Sequence, residues 1–235
     1  MIKQRAKQEK NNHRHMDDLS ESQDKSYRKE EPWRLFRIMA EFVEGFESME
    51  KVGPAVSIFG SARTDRKSEN YKIAEELGKE LSKAGYAVIT GGGPGIMEAA
   101  NKGALAVGGK SIGLSIDLPF ETKSNDYLNM EIWFNYFFVR KVMFVKYAKG
   151  FIVLPGGFGT LDEFYEALTL IQTGKIQPFP VVLIGKAYWG ELLDWMKRTV
   201  LKEKNINPGD LKLYQVTDDP KEAVRFIKNF YKKKR

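Results

Sequence analysis

A glycine-rich turn and an acidic residue, which together could bind a phosphate and stabilise a developing positive charge, lie close together in the sequence. They are Pro155-Gly156-Gly157-Phe158-Gly159-Thr160 and Glu163. Glycine lets the backbone turn tightly and approach a ligand closely. If a helix starts at this turn, its free N–H groups and its positive end favour an anion such as phosphate. A carboxylate one turn further on could face the sugar of a bound nucleotide, where it would stabilise an oxocarbenium-like transition state or orient a water.

Glu163 also has a purely structural interpretation, which the sequence alone leaves open. Thr160-Leu161-Asp162-Glu163 has the spacing of a capping box. In such a box Thr160 caps the helix and Glu163 reaches back to the backbone. The carboxylate would then serve the helix start rather than a reaction.

A second glycine-rich turn, Gly91-Gly92-Gly93-Pro94-Gly95, follows another short apolar run. Ligands of open α/β sheets bind where strands end and loops enter the next helix, so two such turns predict one phosphate-binding site. Neither turn has the dinucleotide fingerprint GxGxxG, because Glu98 and Asp162 stand where the third glycine would be. Residues 103–111 do not form a P-loop either, since position 104 is alanine and the segment runs from a helix into a strand. The candidate binding glycines of this turn are Gly92, Gly93 and Gly95.

Two adjacent cations, Arg140 and Lys141, stand inside an apolar and aromatic helical segment just before the strand that leads to the first turn. Arg140 could pair bidentately with a phosphate or with Glu163. The alternative is a solvated helix face. The neighbouring aromatic residues are interpreted as core or subunit contacts rather than as a platform for a base; they are Trp133, Phe134, Tyr136 and Phe137.

Short apolar runs that alternate with helical patterns predict the elements that would position these residues. Strands are predicted over 55–60, 87–90, 111–116, 150–154, 180–184 and 213–216, and helices over 69–84, 96–107, 138–148, 160–173, 188–203 and 220–231. Buried strands separated by helices indicate a mostly parallel, doubly wound, Rossmann-like α/β sheet. Residues 1–30 are polar and predicted to be a disordered tail. Residues 31–235 are predicted to form a single catalytic domain that opens with an amphipathic helix.

The composition of the chain excludes several classes of function. The chain has no cysteine, which excludes disulfides and thiolate chemistry, and both histidines, His13 and His15, lie in the polar tail. No apolar run suggests a membrane span or a secretory signal, so a cytoplasmic location and no membrane partner are expected. The net charge is +7, but much of the excess lies in the two ends of the chain. Nucleic acid is therefore not the expected partner, and nucleic-acid binding ranks as the third hypothesis.

With these residues in view, the sequence resembles the "lonely guy" (LOG) family of nucleoside 5′-monophosphate phosphoribohydrolases, which are often labelled lysine decarboxylase-like. The pattern PGGxGTxxE matches at Pro155 to Glu163, and the Arg-Lys pair and the segment GGGPGIMEAA match as well. The resemblance covers roughly residues 50–230, and the N-terminal extension is similar to that of the longer bacterial branch.

The resemblance implies a role for each candidate residue. It implies that Gly156, Gly157, Gly159 and Thr160 hold the 5′-phosphate and that Arg140 and Glu163 are the catalytic pair. Lys141 would lie nearby, and Glu121 and Thr169 align with substrate-contacting positions. It further implies a homodimer or a larger homo-oligomer, with no cofactor and no metal.

The hypothesis is hydrolysis of the N-glycosidic bond of a nucleoside 5′-monophosphate, such as AMP or a cytokinin riboside 5′-monophosphate. The products would be the free base and ribose 5-phosphate. The alternative is a non-catalytic nucleotide sensor or carrier on the same fold. Arg140 and Glu163 together discriminate the two, since binding alone would need only the glycine turns.

Overall fold

The computed structural model of the chain describes residues 33–117 and 123–232. The chain divides into two units, Met1–Glu44 and Gly45–Arg235. Residues 33–50 are helical (α1), and of the first unit only residues 33–44 are described. The boundary predicted between residues 30 and 31 lies outside the described residues. No described helix is both long enough and apolar enough to cross a bilayer.

The second unit contains a seven-stranded sheet in the order β4-β3-β2-β1-β5-β6-β7, and every pairing in it is parallel. The strands are β1 (Ala55–Phe59), β2 (Ala87–Thr90), β3 (Ser111–Ile116), β4 (Met130–Phe134), β5 (Ala148–Val153), β6 (Val181–Ile184) and β7 (Tyr214–Thr217). Strands β1, β2, β3 and β6 are buried at every position, as expected for a sheet covered on both faces. The predicted doubly wound, Rossmann-like α/β fold is confirmed.

The helices that cover the sheet are α2 (Glu69–Lys83), α3 (Ile96–Ala106), α4 (Phe137–Tyr147), α5 (Phe158–Gln172), α6 (Lys186–Trp195) and α7 (Pro220–Lys232). Side chains of α2, α3 and α7 share one core cluster with alternate positions of β1, including Val56 and Ile58. Phe59 points to the opposite face of the sheet, where its ring meets those of Phe144 and Phe151.

The sequence analysis missed β4, and it misplaced the end of α6. Strand β4 alternates exposed and buried residues instead of forming a continuous apolar run, because it lies at the edge of the sheet. The α-helix predicted over 188–203 is shorter than expected, since α6 ends at Trp195. A π-helical segment, Met196–Val200, follows it directly. A short 3₁₀ helix follows at Asp210–Lys212.

The strand order places β1 next to β5 in the centre of the sheet, and the chain progresses outward from there in both directions. This is the topological switch point, where the loops beyond neighbouring strands diverge and leave a crevice. The loops after β1, β2 and β5 all begin at the carboxyl edge of the sheet. The two glycine-rich turns are therefore brought together by the topology.

Candidate active site

Helix α5 begins directly in the glycine-rich turn that follows β5. Its N-cap is Gly157, and no side chain caps it. The carbonyl of Gly157 accepts hydrogen bonds from the N–H groups of Thr160 and Leu161, both at 3.0 Å. Of the two interpretations of Glu163, the capping box is excluded, since the helix starts before Thr160 and Glu163 lies in its second turn. The first N–H groups of an uncapped helix have no partner within the helix, which suits this turn to an anion.

The turn at Gly156 is held by contacts with two other elements. The N–H of Ser61, in the loop after β1, donates to the carbonyl of Pro155 at 3.0 Å. The hydroxyl of Tyr188, on α6, donates to the carbonyl of Gly156 at 2.7 Å. A methyl group on Gly156 would overlap Thr160 Oγ1, so a side chain there would displace Thr160.

The second glycine-rich turn lies against the same loop. The N–H of Ile96 donates to the carbonyl of Ser61 at 3.1 Å. Gly92 and Gly95 have φ of +77° and +68°, which favours glycine at both positions. The side chain of Asn125 donates to the carbonyls of Gly92 and Gly93 at 2.9 and 3.0 Å. The loop after β1 therefore connects both turns.

Glu163 is a buried carboxyl group, only 6% exposed. Its Oε2 is enclosed and has no hydrogen-bond partner among the described residues. Burial raises the pKa of Glu163 to about 7; the charge of Lys141 opposes the rise, that of Glu166 adds to it and that of Arg140 opposes it. A carboxyl group of this kind can change its ionisation near neutral pH, as groups in catalytic sites often do.

Arg140 and Lys141 point to different surroundings although they are adjacent on α4. The Arg140 guanidinium lies 5.2 Å from the ring centroid of Phe137 and 5.7 Å from that of Phe144. Its Nη1 donates to the carbonyl of Leu114 at 3.5 Å. Lys141 Nζ pairs instead with two carboxylates of α5, Asp162 at 2.9 Å and Glu166 at 3.1 Å. Lys141 thus ties α4 to α5 beside Glu163.

These elements enclose a cavity of about 750 Å³ at the carboxyl edge of the sheet. Most of the predicted site residues line it: Gly92, Gly93, Arg140, Gly156, Gly157, Gly159, Thr160 and Glu163. Gly95 and Lys141 are not part of the lining. Thr169 does not line it either: it is exposed near the end of α5, and its hydroxyl donates to the carbonyl of Tyr165 at 2.7 Å. Glu121 lies outside the described residues.

The sequence analysis missed several lining residues. Ser61 and Arg63 follow β1, and the rule that ligands bind at the ends of strands would have identified them. Ser115 lies near the end of β3, and its hydroxyl donates to Glu131 at 2.9 Å. Tyr188 lines the cavity from α6, and no spacing in the sequence connects it to the distant glycine turn.

The arrangement joins the uncapped start of α5 to a buried carboxyl group and a guanidinium within one cavity. An uncapped helix start can accept a phosphate, and Glu163 lines the same cavity. Among residues 33–117 and 123–232, no group of three or more His, Cys, Asp or Glu side chains has the geometry of a metal site.

The chain is similar to known proteins. A family model described as "possible lysine decarboxylase" matches residues 97–227, more than half of the chain. A cytokinin riboside 5′-monophosphate phosphoribohydrolase from Rhodococcoides fascians is 26% identical over 179 residues, which cover 74% of this chain and 89% of that protein.

Solved structures show the same fold. The structural-genomics target TM1055 superposes with a TM-score of 0.58 at 26% identity, covering 75% of this chain and 99% of that one. The Moco carrier protein of Chlamydomonas reinhardtii superposes with a TM-score of 0.54 at 25% identity, covering 77% of this chain and 99% of that one.

Proposed function

Since the chain belongs to the family described as possible lysine decarboxylase, the LOG family, we propose that it is a nucleoside 5′-monophosphate phosphoribohydrolase. It hydrolyses the N-glycosidic bond of a substrate such as AMP or a cytokinin riboside 5′-monophosphate. Water adds to the anomeric carbon, the bond to the base breaks, and the base leaves with a proton. The products are the free base and ribose 5-phosphate.

One observation carries this proposal: the buried Oε2 of Glu163, which has no hydrogen-bond partner among the described residues, lines the same cavity as the uncapped start of α5. An unsatisfied buried carboxylate destabilises the fold, and such groups occur where a ligand or a reaction needs them. A site for binding alone would need the glycine turns but no buried acid.

In the proposed mechanism the backbone of Gly157 and Gly159 binds the phosphate, and these contacts, made at a distance from the reacting bond, orient the sugar for the reaction. Ionised Glu163 then stabilises the positive charge that develops on the sugar ring and positions the attacking water. Arg140 binds substrate and, through its positive charge, favours the ionised form of Glu163. The energy of phosphate binding thus serves the reaction at the anomeric carbon.

The protonation state of Lys141 argues against a role for this lysine in the decarboxylation that the family description names. A pyridoxal-dependent decarboxylase needs a lysine that forms a Schiff base, and such a lysine must lose its proton. Burial lowers the pKa of Lys141, but its hydrogen bonds with Asp162 and Glu166 outweigh that effect and raise the pKa. The amine is therefore kept protonated and bound to two carboxylates.

The direct test is to incubate the purified protein with AMP, GMP, CMP, UMP and isopentenyladenosine monophosphate and to follow release of free base by chromatography. We expect release from one or more monophosphates and none from the matching nucleosides, because the phosphate provides the orienting contacts. EDTA should have little effect. Release from nucleosides at the same rate would contradict the role given to the glycine turns.

The alternative is a non-catalytic nucleotide sensor or carrier, and the likeness to the Moco carrier protein favours it. A tight nucleotide complex that stays uncleaved over hours would support this alternative. Turnover that depends on Glu163 would exclude it, since a carrier has no need of a buried acid.

A further inference from the structure

A second groove, away from the catalytic cavity, lies between α2 and α7 and has a volume of about 450 Å³. Five cations and one carboxylate line it: Lys83, Lys221, Arg225, Lys228 and Lys232, with Glu80. Four of the cations lie on α7 and are called the α7 cation stripe below: Lys221, Arg225, Lys228 and Lys232. Their spacing of four, three and four residues puts them on one face of the helix over about 16 Å.

The cations of α2 and α7 differ in whether they form ion pairs with carboxylates. On α2, each lysine pairs with a carboxylate: Lys72 with Glu69, Lys79 with Glu75, and Lys83 with Glu80. On α7, none of the four stripe cations forms an ion pair within the described part of the chain, and all four are exposed. The helix therefore carries a line of unpaired positive charge beside a neighbour whose lysines are all paired.

This line of charge is unfavourable for the isolated helix. Like charges four residues apart destabilise a helix by about 0.2–0.5 kcal/mol per pair, and the stripe has two such pairs. A bound polyanion would remove that repulsion. The buried face of α7 holds the helix in place regardless, through Ala223, Val224 and Ile227.

We propose that the groove binds the phosphate backbone of a single-stranded nucleic acid. The cations lie in one line along the groove, which suits a strand better than a bilayer surface. The buried apolar side chains of α7, Ala223, Val224 and Ile227, are not available to enter lipid. Among the described residues, no aromatic side chain lines the groove, so nothing there is placed to stack on a base. Binding is therefore through phosphates alone and independent of sequence.

Three of the four stripe cations precede the basic C-terminal end of the chain, which begins at Lys232. The expectation that nucleic acid is not a partner rested on an excess of charge in the two tails. The stripe belongs to a folded helix that packs on α2. Lys233, Lys234 and Arg235 continue the sequence but lie outside the described residues, so they are kept unchanged in every variant below.

The test is fluorescence anisotropy of a labelled oligothymidylate with the full chain over a series of NaCl concentrations. Each phosphate contact with a single strand contributes about −0.7 to the slope of log K against log[salt], so four contacts give a slope of about −3. The double variant Arg225→Glu, Lys228→Glu should reduce the slope to roughly half and weaken binding about tenfold or more. Inorganic polyphosphate should compete with the oligonucleotide.

The matched control is Lys197→Glu, Arg198→Glu, which changes the net charge equally at two exposed cations of the π-helical segment. It should keep nearly the original affinity and slope, and thermal melts of both variants should show that they are folded. Equal losses of affinity in the two variants would contradict binding at the groove and would indicate that net charge is the cause. Binding that inorganic polyphosphate does not displace would overturn recognition through phosphates alone.

Discussion

At the residue scale, Glu163 combines a cost in stability with a position that gives it a chemical role. It is buried among four other charged groups of α4 and α5, and its pKa is raised to about 7 from an ordinary value of 4.5. A carboxyl group whose folded pKa is raised destabilises the folded state once it ionises. This destabilisation is absent below about pH 4.5 and reaches its full size above about pH 7.

We expect Glu163→Gln to make the protein more stable at pH 8 and to change its stability little at pH 5. The difference of 2.5 between the two pKa values corresponds to about 3 kcal/mol at pH 8. Chemical denaturation at the two pH values measures it. Glu191→Gln, at an exposed position of α6, is the control and should show no such pH-dependent gain. If Glu163→Gln and the unchanged protein were equally stable at pH 8, ionisation of Glu163 would not destabilise the folded state.

The sequence identified most of the cavity residues but not the state of Glu163. Both glycine turns were recognisable because glycine and the ends of strands follow local rules. The capping box was ambiguous because its two interpretations differ only in where α5 begins. That start is set by Gly157, whose carbonyl accepts two N–H groups, and by Tyr188, which holds the turn from a distant helix.

At the element scale, α2 and α3 are in contact through glycines that leave no room for a side chain. A methyl group on Gly103 of α3 would overlap the carbonyl oxygen of Glu75 on α2, and one on Gly78 would overlap that of Ala100. Helix propensity alone would favour alanine at both positions. Close packing of the two helices overrides it, and α3 in turn carries the second glycine turn at its start.

We expect Gly103→Ala to destabilise the protein by roughly 2 kcal/mol or more, because backbone atoms must move to admit the methyl group. Gly190→Ala in α6 is the matched control, since nothing lies within 4 Å of a methyl group there. It should be neutral or stabilise by up to about 1 kcal/mol. Urea denaturation of both variants measures the difference, and similar values for the two would refute the packing role of Gly103.

The elements that the sequence analysis located well are those with strong local periodicity. Strands β2 and β3 have the predicted bounds, because each is a short apolar run buried on both faces. Strand β4 was missed because its pattern is that of an edge strand, with Ile132 and Phe134 buried between exposed neighbours. Recognising it requires knowing that β3 has a free edge, which is a property of the whole sheet.

At the scale of the whole molecule, the site follows from the strand order. Placing β1 beside β5 brings together loops that are about 95 residues apart in sequence, and the bond from Ser61 to Pro155 joins them. The predicted homo-oligomer stays a prediction. The exposed apolar residues beside the cavity are where we expect a second copy to pack, namely Phe137, Phe138, Val142 and Phe158.

The central claim is that the chain is an enzyme whose turnover depends on Glu163. The most direct measurement compares the unchanged protein with Glu163→Gln, following release of base from the best monophosphate and binding of that nucleotide by calorimetry. We expect Glu163→Gln to bind the nucleotide with an affinity close to that of the unchanged protein and to release no base. A variant that retained most of the activity, or an unchanged protein that bound the nucleotide and never cleaved it, would contradict the claim.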